Sequence, residues 1–208
     1  MGPITFPLAG LILGFVLLVV NRLIEPYLPS EILALVLLAI NILSTGGRHL
    51  AATQETFDRL SRTSAPVNTA SHRPIHGLVA VLLVVLFKLR SIEVIAESRG
   101  LSLLLTPLLA RWSLLLFIFG SSSAAANGAR RLTDNMRPWH LIVATVMTVG
   151  FALFLATSQA LWVALCLSLL ALFARSYLYR REGGISLASC GALIELTEAV
   201  SFTLFASL

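Results

Sequence analysis

Glu195 and Glu198 lie three residues apart in the apolar run 185–208, which puts two carboxylates on one face of a helix. Acids are costly to hold inside an apolar segment, so they are functional candidates by default. Glu55 and Asp58 repeat that spacing in the most polar stretch of the chain. Facing one cavity, the two pairs could supply oxygen ligands to Mg²⁺ bridged to substrate phosphates. Each pair could equally be a solvated interfacial face or the partner of a nearby arginine. Arg111, among Leu108, Leu109 and Trp112, needs a carboxylate, a phosphate or water beside it. Substrate phosphate and a structural glutamate are its two candidate partners. His49 follows Gly46-Gly47 and could bind phosphate or move a proton, with helix-end hydrogen bonding as the plain alternative. His76 and His140 stand beside helix starts and read as structural. Gly46-Gly47 and Gly183-Gly184 permit close backbone approach or unusual dihedrals, and the second pair precedes the Glu-x-x-Glu pair by eleven residues.

The elements that must position these groups are apolar helices. The 208 residues are 57% hydrophobic and 12% charged, with a mean hydropathy of +0.90. That is too apolar for a water-solvated globule and excludes a soluble enzyme. About 20 apolar residues per crossing allow six or seven transmembrane helices in one all-α bundle. The expected segments are 7–24, 31–44, 75–92, 101–120, two spans within the uncharged run 138–174 that turn at Thr157-Ser158-Gln159, and 185–208. Pro26 and Pro29 end the first, Thr45-Gly46-Gly47 the second. Residues 45–74 form a polar loop, too long for a simple hairpin connection. Residues 121–137 form a flexible, basic connection. Lys88 and Arg90 are expected to snorkel to the interface. Cys166 and Cys190 lack any CxxC or Cys/His grouping and read as buried thiols. The first 21 residues carry no charge and offer no basic n-region, so the first run is expected to stay as a span.

A net charge of +5 could suggest nucleic acid, but the basic residues lie between apolar blocks and not on one continuous face. They read instead as topology signals. Arg48, Arg59, Arg62, Arg73, Arg130, Arg131, Arg137, Arg175, Arg180 and Arg181 fall in alternate connections; Arg22, Lys88, Arg90 and Arg99 fall on the other side. The positive-inside rule then turns the N-terminus, the 45–74 loop and the Gly183-Gly184 connection toward the cytoplasm. The expected location is the cytoplasmic (inner) membrane.

Taken in order, Pro-Leu-Ala-Gly-Leu-Ile-Leu-Gly at 7–14, Thr-Gly-Gly-Arg-His-Leu at 45–50, Thr-Pro-Leu-Leu-Ala-Arg at 106–111, Gly-Gly-Ile-Ser at 183–186 and Gly-Ala-Leu-Ile-Glu-Leu-Thr-Glu at 191–198 resemble the cobalamin synthase family, the integral membrane adenosylcobinamide-GDP ribazoletransferases. The likeness runs from Pro7 to the C-terminus. It departs where the family carries acids. Of the three aspartates that follow the first Gly-Gly, the first falls on Ala51, the second on Glu55, and Asp58 alone remains. A Lys-Asp-Ser-Arg element appears as Thr69-Ala70-Ser71-His72 with Arg73 beside it, and the aspartate after the second Gly-Gly is Ala188.

The resemblance implies transfer of the phosphocobinamide group from adenosylcobinamide-GDP to a ribose hydroxyl of α-ribazole or its 5'-phosphate, with release of GMP. It assigns Glu55, Asp58, Glu195 and Glu198 to Mg²⁺, and Arg73 and Arg111 to phosphate oxygens. Gly46, Gly47, Gly183 and Gly184 fall to the substrate-binding backbone, and His49, with Asp58, to the catalytic proton transfer. The implied partners are the two substrates and the lipid bilayer, without nucleic acid and with a homo-oligomer left open. Two alternatives stand beside this: a member that keeps the fold and binds a corrinoid or membrane partner without turnover, and a small transporter or a transferase for another alcohol.

Overall fold

A computed structural model of the chain describes residues 5–61, 75–95, 98–122, 129–134, 136–155 and 158–208. They form α1 (Thr5–Ile24), α2 (Ser30–Ser44), α3 (Arg48–Leu60), α4 (His76–Val94), α5 (Arg99–Ile118), α6 (Ala129–Asp134), α7 (Pro138–Phe154), α8 (Ser158–Glu182) and α9 (Leu187–Ser207), with no strand among the described residues. Seven of these nine fall on the seven expected segments. α3 and α6 arise where a polar loop and a flexible connection were expected. α1, α5, α8 and α9 are each long and apolar enough to cross a bilayer, and a fifth crossing is reached by counting the bent α2–α3 pair as one span. The six or seven crossings expected from composition are not confirmed: α7 has only 17 residues and α4 carries Lys88, Arg90 and Glu93 near its end.

α5 is the axis of the bundle, buried along almost its whole length and packed by α1, α7, α8 and α9. A helix apolar on every side belongs in such an interior. α1 reaches it through Gly10 and Gly14, one turn apart on the buried face. A Cβ on Gly10 would stand 2.3 Å from the Pro107 carbonyl oxygen, and one on Gly14 2.4 Å from that of Leu104. In lipid, where apolar burial gives helices no reason to associate, this small-residue contact is what brings backbones close. Paired hydroxyls add cross-links, Thr106 with Ser201 at 2.9 Å and Ser91 with Thr203 at 3.1 Å.

α2 stops at Gly46 and Gly47, whose φ values of 60° and 71° lie in the left-handed region, and α3 leaves at 80° to it. A Cβ at either glycine would meet nothing within 4 Å, so the dihedral and not space demands them. α3 then lies across α9 and the start of α4. A Cβ on Gly191 would stand 2.6 Å from that of Ala52, and one on Gly77 2.2 Å from the Gln54 carbonyl oxygen.

Candidate functional site

The α9 carboxylates converge on two cations. Lys88 Nζ on α4 donates to Glu195 Oε2 at 2.6 Å and Glu198 Oε2 at 2.7 Å, and stands 3.5 Å from Asn41 Oδ1 on α2. Arg111 Nη1 on α5 donates to Glu198 Oε1 at 2.9 Å and to the Pro107 carbonyl at 3.0 Å. All four charged side chains are buried, and their formal charges cancel. Arg111 thus meets a glutamate, one of the two partners left open for it. Lys88 does not snorkel: it is 1% exposed, while Arg90 points outward to Glu93. The reason is the helical face. Ala80, Val84, Lys88 and Ser91 with Ile92 recur at turn spacing along the buried side of α4, and Arg90 falls on the opposite side.

His49 joins this cluster to a cleft. Its Nδ1 is 3.9 Å from Glu195 Oε1 and its side chain is 25% exposed. α3 is too polar to cross a bilayer alone, and burial of His49 there outweighs the attraction of Glu198. Together with the positive charges of Arg111 and Lys88, that burial holds the imidazole below the ordinary histidine range. That environment favours the neutral imidazole, the form able to accept a proton.

The cleft, about 650 Å³, lies between α3, α5 and the start of α9, and its wall includes Arg48, His49, Ala51, Glu55, Arg59, Ser186, Ala188 and Gly191. Glu55 is 62% exposed and 3.5 Å from Arg59. Arg59 reaches across to the α8–α9 connection, donating from Nε and Nη2 to Glu182 at 3.2 and 3.0 Å and from Nη2 to Ser186 Oγ at 2.8 Å. Gly183, with φ of 73°, makes the turn that brings Ser186 there, and Ser186 caps α9 by accepting from the Ser189 N–H at 3.1 Å. Ala51 and Ala188 both line this one cleft.

The expected ligands do not form a magnesium cage. Glu195 and Glu198 are engaged by Lys88 and Arg111. Asp58 Oδ1 accepts the Gly77 N–H at 2.7 Å and so caps α4, and Glu55, beside Arg59, is the acidic side chain lining the cleft among the described residues. Among the described residues no group of three or more His, Cys, Asp or Glu could hold a metal ion. Of the substrate-binding set, Gly46 and Gly47 shape the α2–α3 bend, Gly183 and Gly184 the turn beside Ser186, Arg111 is committed to the core, and Arg73 lies outside the described residues. Arg48, Arg59, Glu182, Ser186 and Lys88 were missed as site residues. For Lys88 the turn spacing of its apolar neighbours was the available signal; for Arg59 and Glu182, which meet across 123 positions, there was none. Cys166 and Cys190 are free thiols, and only Cys190 is fully buried.

Residues 2–206 match the family described as cobalamin-5-phosphate synthase. The chain is 31% identical over 217 residues to the adenosylcobinamide-GDP ribazoletransferase of Synechococcus elongatus, covering 95% of this chain and 84% of that protein. It is 29% identical to the proteins of that name from Geotalea daltonii, covering 93% of this chain and 81% of the relative, and Pseudomonas fluorescens, covering 93% and 82%. No solved structure matches.

Proposed function

We propose a transfer reaction for this chain, which belongs to the cobalamin-5-phosphate synthase family: as a multi-pass membrane protein it joins adenosylcobinamide-GDP to α-ribazole or its 5'-phosphate and releases GMP. The observation that carries the site assignment is the convergence of the α2–α3 bend, α3 and the α8–α9 connection on one cleft, with His49 in its wall. A ribose hydroxyl oxygen attacks the phosphorus that bears the cobinamide. Its proton passes to the His49 imidazole, the new P–O bond forms, and the anhydride bond to the second phosphate breaks with GMP taking the electron pair. Arg48 and Arg59 supply the positive charge for the phosphate oxygens, and Ser186 a hydroxyl beside them. Alignment and neutralisation are the main demands of such a transfer.

The same convergence supports placing the cleft on one membrane face, and the distribution of arginines favours the cytoplasmic side for it. One observation favours binding without turnover: Ala51 and Ala188 stand in the cleft where the family pattern carries acids. A single experiment separates the two. The purified protein in liposomes is given adenosylcobinamide-GDP and α-ribazole, with and without Mg²⁺, and GMP and cobalamin are followed together by mass spectrometry. Both products are expected, with loss of both in His49→Ala. Retained corrinoid binding with neither product from the wild type would refute the transferase reading.

A further inference from the structure

The position of the Lys88 ammonium has a chemical meaning that the carboxylate pair alone does not reveal. Nζ lies within 2.7 Å of an oxygen of both Glu195 and Glu198, on the line of approach that a bridging cation would need. A hard dication binds carboxylate oxygens at about 2.0–2.6 Å, so ion and ammonium cannot share the place. Nor is there charge to hold it. Lys88, Arg111, Glu195 and Glu198 already sum to zero, and a dication added beside them would leave two uncompensated positive charges in a buried setting. Lys88 cannot readily withdraw, because Ala80, Val84 and Ile92 on its face of α4 are buried with it.

We propose that Lys88 is the resident cation of the Glu195–Glu198 pair, closing it to divalent ions and acting as a positioning residue that fixes α9 behind the cleft. The inference deepens the transferase reading by saying which carboxylates of that site take no metal. Its readout is separate from turnover.

The test is Mn²⁺ alone, titrated into the full chain in phosphatidylcholine nanodiscs, with free ion followed by electron paramagnetic resonance. Wild type and Glu195→Gln should leave the same free-ion signal. Lys88→Ala should take up about one ion per chain, and the added Glu195→Gln should abolish that uptake. Lys88→Met, which keeps the apolar stem but carries neither charge nor donor, serves if the alanine variant does not fold, and the comparison of wild type with Glu195→Gln requires neither. An ion held by the wild type and lost in Glu195→Gln would overturn the proposal, as would a folded Lys88 variant that binds none. Failure of the transferase reading would appear instead as absent GMP release, with these titrations unchanged.

Discussion

Lys88→Met removes the side chain that donates to both α9 carboxylates, and its cost follows from what remains. Two charge-assisted hydrogen bonds disappear, each worth about 1.5–3 kcal/mol. Breaking a buried ion pair by deleting one partner costs about 3–5 kcal/mol. The two routes overlap near 4 kcal/mol, the expected loss of stability. The second mutation sharpens the test. Adding Glu195→Gln leaves Arg111 paired with Glu198 and restores a net charge of zero, so about half of the loss, roughly 2 kcal/mol, should return. Adding Glu198→Gln also restores zero charge, but it strips Arg111 of its carboxylate and leaves Glu195 facing only a neutral His49 at 3.9 Å. Little recovery is expected there. Reversible unfolding in mixed dodecylmaltoside–dodecylsulfate micelles, followed by far-UV circular dichroism, measures all four chains. A Lys88→Met cost below about 1 kcal/mol would refute the reasoning, as would equal recovery in the two double variants.

Gly77→Ala drives a methyl into the Gln54 carbonyl and should cost about 1–3 kcal/mol, whereas Gly150→Ala, with nothing within 4 Å, should be neutral or gain up to about 1 kcal/mol; the same unfolding assay compares them. Because His49 is held below the ordinary value of 6.5, the unfolded chain takes up a proton there before the folded one does. Folding stability from this group is therefore complete above about pH 6.5 and lost as the pH falls toward the folded value. GMP release should rise across that acid range to a plateau near neutrality, and a His49→Asn variant with the same acid limb in stability would refute the assignment. Ala51→Asp with Ala188→Asp places two carboxylates beside Glu55 in the cleft and should create Mn²⁺ binding there; a folded double variant that binds no ion would show that these side chains do not meet.

Much of the helical layout was legible because apolar runs, prolines and glycine pairs are local signals. The bounds 31–44 and 75–92 agree with α2 and α4 to within two residues. The sequence of α3 reads as loop for a physical reason: Arg48, His49, Gln54, Glu55, Asp58 and Arg59 make its composition that of a solvated segment, and only packing against α9 and α4 turns it into a wall of the cleft. Charge balance was the harder inference. Glu195, Glu198 and Arg111 were marked as unusual from their apolar surroundings, but which cation meets which anion depends on how α4, α5 and α9 cross. Lys88 looked interfacial because it is near the end of its helix, though its register places it inward.

The Gly10 and Gly14 contact with α5 also sets an order of manufacture. Gly14 leaves the ribosome ninety positions before Leu104, the residue whose carbonyl it touches. At about 5–20 residues per second, the interval is roughly 5–20 s. Through that time Gly10 and Gly14 wait for the α5 carbonyls they will meet. The α1–α5 seam can therefore close only after α2–α4 have been made, which makes it a late contact of the bundle.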